Sequence, residues 1–261
     1  MIAKRKRRAG ERWRAAFDTL AFLVLLGGLV WLLFEGAGTL QYNWQWYRVP
    51  QYLYRVENGA LHPGPLLQGL GVTLELSGWS LLLALVFGLA AAHALTRVYV
   101  EAVRNAPMLV QLYLVYFVLA PIVGMDRFAA AVLALAIFEG AYAAEIFRAG
   151  IEAVPHGQWE AAEALGLSRP AVYRHIILPQ AIRVVLPPLT GLGVALIKHS
   201  ALVSVIAVAD LTTEGRNLIA DTFMTFELWF TVAALYLALT TSLSLLVGWL
   251  ERRLAVNSGH G

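Results

Sequence analysis

Six stretches of this chain are apolar for about the length of a bilayer crossing: 15–34, 66–95, 107–124, 128–147, 180–208 and 228–250. A helix needs roughly 20 such residues to cross the hydrocarbon. The pattern therefore points to an all-α integral membrane protein of about six transmembrane helices. Composition agrees: 59% of residues are hydrophobic and 14% charged, and the mean hydropathy is +0.65. A soluble domain is about 45–50% apolar and about 25% charged.

The positions of the charges assign the sides. Lys4, Arg5, Lys6, Arg7, Arg8, Arg12 and Arg14 precede the first apolar run. With Arg97, Arg104, Arg148, Arg169, Arg174, Arg183, Arg252 and Arg253 they place 15 of the 20 Lys and Arg on one side. Only 4 fall on the other: Arg48, Arg55, Arg127 and Arg216. Loops rich in Lys and Arg stay cytoplasmic, so the N- and C-termini are both expected inside. The pI near 9.3 is then a topology signal and not a nucleic-acid-binding face. The chain has no cysteine, which excludes disulfides and cysteine metal sites.

In order, residues 1–14 read as a basic cytoplasmic tail and 15–34 as a first transmembrane helix. A cleaved signal peptide competes for 15–34. The run exceeds a typical signal core, however, and Gly36-Ala37-Gly38 is a weak cleavage site. Residues 35–65 read as an external loop whose Trp44, Trp46 and Tyr47 suit the membrane–water interface. A ligand-binding aromatic box is the alternative there. Gly69, Gly71, Gly78 and Gly88 in the second run let helices approach closely. Pro187-Pro188, Gly191 and Gly193 predict a bent or partly unwound fifth helix. Asp210, Glu214, Arg216 and Asp221 mark an external stretch, and 254–261 is a short tail.

One segment, 158–179, is polar yet lies between apolar runs. Trp159, Ala162 and Leu165 recur at helical spacing and predict a small apolar face. Gly166 can take the left-handed conformation that ends a helix. Ser168 is placed as an N-cap with Pro170 in the next first turn, and Pro179 is expected to start a new segment. A knob of this kind needs a protein partner.

The spacing Glu160-Ala161-Ala162, Gly166, Ile176, Leu178-Pro179 resembles the coupling loop of ABC importer permease subunits. Flanking runs are similar to the polar amino acid branch (histidine, glutamine and arginine permeases). They are Gly71-Val72-Thr73-Leu74-Glu75-Leu76-Ser77, Asn105-Ala106-Pro107-Met108-Leu109-Val110-Gln111-Leu112, Gly140-Ala141-Tyr142-Ala143-Ala144-Glu145-Ile146-Phe147-Arg148-Ala149-Gly150 and Leu202-Val203-Ser204-Val205-Ile206. The likeness implies a five-helix type I importer permease core at 66–253, with the coupling loop at about 150–178 and the 15–34 helix as an addition. It also implies a multi-pass protein of a prokaryotic inner membrane that imports a polar amino acid by alternating access. The implied partners are ATP-binding cassette ATPase subunits, a second permease subunit (a homodimer or a heterodimer), an external solute-binding protein and membrane lipid. ATP and Mg would be held by the ATPase. Glu160, Ala161, Ala162, Gly166, Ile176, Leu178 and Pro179 would contact or shape that junction.

Nothing in the chain points to catalysis. Its only lysines are Lys4, Lys6 and Lys198, none in a phosphate-cradling G-x-x-x-x-G-K-[ST] loop, and no zinc or nucleophile-elbow motif occurs. The histidines are scattered, so no cofactor or metal is expected in this chain, and no nucleic acid either. Ionisable residues inside the runs are more telling, because each costs about 2.5–3.5 kcal/mol at a bilayer centre. Glu139, Lys198, His199 and Ser200 are therefore candidate substrate contacts: a zwitterion needs an anion for its ammonium and donors for its carboxylate. A structural Glu139–Lys198 ion pair, or a snorkelling Lys198, is the competing reading. Family members commonly carry asparagine and serine where this chain has Phe138 and Glu139, and aspartate where it has His199. Glu145 and Arg148, three apart, are read equally as a helix-surface pair or a gating pair. A gradient-driven secondary transporter would share the broken helix and intramembrane charge.

Overall fold

The structure, a computed structural model, describes residues 17, 19–28, 31, 32, 35, 36, 42–57, 59–93 and 97–256. The chain divides into two units, Met1–Gln45 and Trp46–Gly261. In the first, α1 (Thr19–Gly28) is an apolar helix. Much of the expected 15–34 span, the basic tail and 257–261 lie outside the described residues.

The second unit is helical apart from one hairpin. A 3-10 turn at Trp46–Arg48 and α2 (Pro50–Leu53) lead into β1 (Tyr54–Glu57) and β2 (Ala60–Pro63), which pair antiparallel with Arg55 opposite His62. The expected external loop thus contains regular structure. Then come α3 (Pro65–His93), α4 (Arg97–Asn105), α5 (Met108–Tyr113), a π-helical stretch Leu114–Leu119, α6 (Ala120–Val123) and α7 (Arg127–Glu152). They are followed by α8 (His156–Ala164), α9 (Arg169–Val172), a π turn Tyr173–Ile177 and α10 (Leu178–Ser200). A 3-10 turn Ala201–Ile206, α11 (Leu211–Thr222) and α12 (Thr225–Val256) complete the unit. Among the described residues four helical segments are long and apolar enough to cross a membrane, at Pro65–Ala92, Arg127–Glu152, Arg169–Ile206 and Thr225–Trp249. A fifth crossing arises if the bent pair Arg97–Asn105 and Met108–Val123 is one span.

The central helix is α7, because it is alanine-rich and apolar on every side. Ala130, Ala131, Leu135, Ala136, Ala141 and Ala143 are all buried. It packs along α3 through small residues: a Cβ on Gly88 would stand 2.5 Å from the Ala143 Cβ, and one on Gly140 would stand 3.0 Å from the Phe87 Cβ. Close backbone approach of this kind replaces the hydrophobic drive that lipid cannot supply. By contrast α12 is mostly uncovered, with Leu237, Leu245 and Leu246 exposed.

Two turns are fixed by local chemistry. Gly124 takes the left-handed conformation, φ 71°, and closes α6. The Asp126 carboxylate then caps α7 by accepting from the Ala129 amide at 2.7 Å. Between α4 and α5 the chain bends by 104° before Pro107. There Gln111 Nε2 donates to the Val103 and Ala106 carbonyls at 2.7 and 3.0 Å.

The prolines of the fifth span do not interrupt it. Pro187 and Pro188 lie inside a continuous α10. Proline φ suits a helix, and the carbonyls it leaves unpaired belong to the exposed Arg183 and Val184. The irregularity comes later, at the 3-10 turn, where Ala207 has φ 56°. That turn is clamped from two directions: Arg127 donates to the Ala207 carbonyl at 2.8 Å and Arg216 to the Ser204 carbonyl at 2.9 Å. Pro179 lies in the first turn of α10, which begins at Leu178, so a helix does start there as the sequence predicts, while α9, the π turn and α10 together form one span. The charged stretch beginning at Asp210 is a packed helix, α11. Asp210 caps α11 by accepting from the Thr212 and Thr213 amides at 3.2 and 2.9 Å. Thr73 of α3 accepts from the Leu211 amide at 3.1 Å, and Tyr236 of α12 donates to Asp210 at 3.3 Å. Burial, with the Asp210 carboxylate second, pushes the Glu214 carboxyl above the usual carboxylate range.

Gly88→Ala is expected to cost about 1–3 kcal/mol by overpacking, read as a lower thermal midpoint of the detergent-solubilised chain. Gly78→Ala, whose Cβ would meet nothing within 4 Å, should move the midpoint the other way through about 1 kcal/mol of helix propensity. Asp210→Ala should cost about 1–2 kcal/mol and speed amide exchange in the first turn of α11, with Asp210→Asn nearly neutral.

Candidate functional site

Two places in the second unit carry the functional residues read from the sequence. The first is the knob between α7 and α10. Val154 is buried as α7 ends, and Pro155 turns the chain into α8. Ala162 is fully buried with Val172, Ile177 and Ala181, and Trp159 and Ile176 pack on the same cluster. The Trp159 and Tyr173 rings meet edge-on at 5.3 Å. Gly166 has φ 70°, and its amide donates to the Glu163 carbonyl at 2.9 Å while Leu167 donates to Ala162 at 3.3 Å. These bonds close α8 as the sequence predicts. Ser168 occupies the cap position before Pro170, although its hydroxyl makes no capping bond. Gln180 ties the knob to α10, donating to the Ile176 carbonyl at 2.8 Å and to Gln158 Oε1 at 3.5 Å.

The face that meets solvent differs from the one the spacing predicts. Leu165 is 76% exposed and Leu167 40%: six residues on, Leu165 has rotated about 120° round the helix from Trp159, and Leu167 follows the left-handed turn at Gly166. Glu160, Ala161, Leu178 and Pro179 are exposed as well. The knob is rooted through Trp159, Ala162, Ile176 and Ile177 and presents Glu160, Leu165 and Leu167 outward.

The second place is inside the spans. Glu139 on α7 is buried, its side chain 3% exposed, and its Oε1 lies 2.6 Å from Nδ1 of His199 on α10. A carboxylate only accepts, so the imidazole donates there and its Nε2 is left for another partner. The His199 side chain is 40% exposed. Phe138 packs edge-on against its ring at 5.7 Å, and Tyr142 meets Phe138 at 5.2 Å. Lys198 is exposed and forms no ion pair with Glu139. Ser200 is fully buried, its hydroxyl donating to the Ile197 carbonyl at 2.7 Å. Of the four candidates, then, the fold joins two. Consecutive helical residues point about 100° apart, and here Lys198 is exposed while Ser200 is fully buried.

Sequence reasoning missed what other helices bring. Glu145 binds Arg148 at 2.5 Å as the spacing suggests, yet Arg104 of α4 also approaches it, at 3.7 Å, with its guanidinium 5.2 Å from the Tyr142 ring centre. No local pattern announces that contact. Nor does one announce the Arg127 and Arg216 clamps, which join residues 80 and 12 positions apart. Among the described residues no group of three His, Asp or Glu could hold a metal.

Comparison with known proteins matches this architecture. The family model described as the inner membrane component of binding-protein-dependent transport systems covers residues 77–256. The glutamine transport system permease protein GlnP of Escherichia coli (strain K12) is 39% identical over 204 residues, 73% of this chain and 93% of that protein. The probable glutamine ABC transporter permease protein GlnM of Bacillus subtilis (strain 168) is 42% identical over 158 residues, 60% of this chain and 73% of that one. Among solved structures, an amino acid ABC transporter with histidines is similar at TM-score 0.68 and 38% identity, over 72% of this chain and 94% of its own. The MetNI methionine ABC transporter, at 20% identity and TM-score 0.63 over 72% and 95%, shares the fold. With the helical core, the knob and these matches together, the chain belongs to the family of binding-protein-dependent transport system inner membrane components, the permease subunits of ABC importers.

Proposed function

We propose that this permease imports a polar amino acid, that a separate ATP-hydrolysing subunit docks on the α8 knob, and that His199 meets the passing substrate. The observation that carries the reading is connectivity. The knob joins α7 to α10 in the chain, and those two helices hold the two halves of the Glu139–His199 bond. A push on α8 passes through the buried Ala162–Ile177–Ala181 cluster into α10, while α7 stays packed on α3. Relative motion of the two helices then alters the Glu139–His199 contact, which a zwitterion could use.

Glu139 is too buried to offer more than an edge to a ligand. It acts behind His199, fixing the ring and holding a proton on Nδ1, while the half-exposed imidazole presents Nε2. Against the family pattern, the acid common at position 199 is replaced by the imidazole, and Glu139 supplies a carboxylate from the facing helix. The two departures touch each other, so one acidic group is kept at this helix contact with its side exchanged. Glutamine, the amino acid that GlnP is named for, has an uncharged side chain that hydrogen bonds from His199 would serve.

ATP and Mg belong to the ATPase in this scheme, an external solute-binding protein delivers the substrate, and a second permease subunit completes the passage. The knob and both termini face the cytoplasm of a prokaryotic inner membrane.

Two experiments test the reading. In proteoliposomes holding the complete complex, Glu160→Lys or Gly166→Val should cut uptake at least about tenfold, a loss of about 1.4 kcal/mol or more in coupling, with membrane insertion unchanged. Uptake at the unmodified rate would sink the knob assignment. His199→Gln should raise the half-saturating substrate concentration while basal ATP hydrolysis persists. His199→Ala should also destabilise the chain, because an unpaired buried carboxylate costs about 3–5 kcal/mol; in Glu139→Gln/His199→Ala the stability should return but not the uptake.

A further inference from the structure

A cavity of about 530 Å³ lies where the end of α3 meets α4 and α7, apart from both the knob and the Glu139–His199 pair. Arg97, Glu101 and Arg104 line it from α4, and Glu145 and Arg148 from α7. Part of its apolar wall is Ala91, Val100 and Ala144. The three guanidiniums outnumber the two carboxylates. Glu145 is already engaged on both oxygens, Oε1 by Arg148 at 2.5 Å and Oε2 by Arg104 at 3.7 Å. Arg97 has no ion-pair partner among the described residues. Each guanidinium carries five N–H donors, so donors exceed acceptors, and the complement is an anion. A free zwitterion would bring its ammonium among three guanidiniums, with Glu101 alone outside an ion pair among the lining carboxylates.

Depth and orientation name the anion. Arg148 stands 21 residues along α7 from Arg127, or about 32 Å at 1.5 Å per residue, close to the hydrocarbon thickness of about 30 Å. The α4 helix meets the following helix at 104°, so where that helix follows the spans α4 lies across them. Beside Arg97 it exposes Val98, 78% accessible. A helix lying along the interface with basic and apolar groups side by side binds lipid through both.

We propose that this cavity binds the headgroup phosphate of an anionic phospholipid of the cytoplasmic leaflet, with Arg97 and Arg104 as its ligands and Val98 against the acyl chains. The leaflet follows from the orientation proposed above; the binding itself does not depend on it. Occupancy would brace α4 against α7, to which Tyr99 already donates a hydrogen bond, at 2.7 Å to the Ile137 carbonyl two residues before Glu139.

The test is native mass spectrometry of the full chain in detergent with equal amounts of phosphatidylglycerol and phosphatidylcholine. Phosphatidylglycerol should be retained in preference by about fivefold or more, since each near-surface cation contributes about 1 kcal/mol toward anionic lipid. Arg97→Gln should lower that preference about fivefold. Arg97→Lys should keep most of it, and Arg183→Gln, at an exposed arginine outside the cavity, should leave it unchanged. Because Arg97 is exposed and pairs with no acid, its loss does not threaten folding. Equal retention of the two lipids, or an Arg97→Gln variant as selective as the parent, would overturn the proposal. Displacement of phosphatidylglycerol by excess inorganic phosphate would overturn the lipid source and leave a soluble-anion site. Coupled uptake is read in neither arm, so failure here is distinct from failure of the import reading.

Discussion

The contact on which the rest of this structure depends is the close approach of α3 and α7. In hydrocarbon, helices gain nothing by hiding leucine from lipid, so association relies on dispersion at short range and on the groups that permit it. Gly88 against Ala143 and Gly140 against Phe87 supply that approach. With α7 held, the other parts follow: α4 hangs from it through Tyr99, α10 crosses it near Glu139, and the knob leaves from its end. The facing helix α3 also offers Thr73 to the first turn of α11. A permease that changes shape needs one part that does not, and the small residues on α3 and α7 provide it.

The second constraint is a buried carboxylate. Glu139 is expensive in a membrane without a partner, and the fold answers with His199 at 2.6 Å. That pairing spans two helices joined in sequence by the knob. The knob is rooted by buried side chains and closed by a left-handed glycine, so it is built as one packed body and not as a flexible linker. The same logic explains the arginine clamps on the 3-10 turn after Ser200, since strained backbone persists only where its surroundings hold it.

Much of this was legible before any coordinates. Long apolar runs give the helices, because the bilayer imposes a length rule that acts locally on sequence. Glycine and proline at Gly124, Gly166 and Pro170 act through their own φ, so the turns there are readable too. The prolines at 187 and 188 were misleading. Their local penalty is real, but the carbonyls they strand belong to exposed residues, and α10 continues.

The sequence by itself determined the helical membrane architecture and the existence of a knob with a glycine stop. Each of these follows from a residue's own geometry or its solubility in hydrocarbon. Only the tertiary structure decided which polar groups meet. Glu139 finds His199 and not its neighbour Lys198, Arg104 reaches Glu145 from another helix, and Leu165 turns outward. Such contacts depend on the rotation of one helix against another, which is set by packing over many residues and is written at no single position.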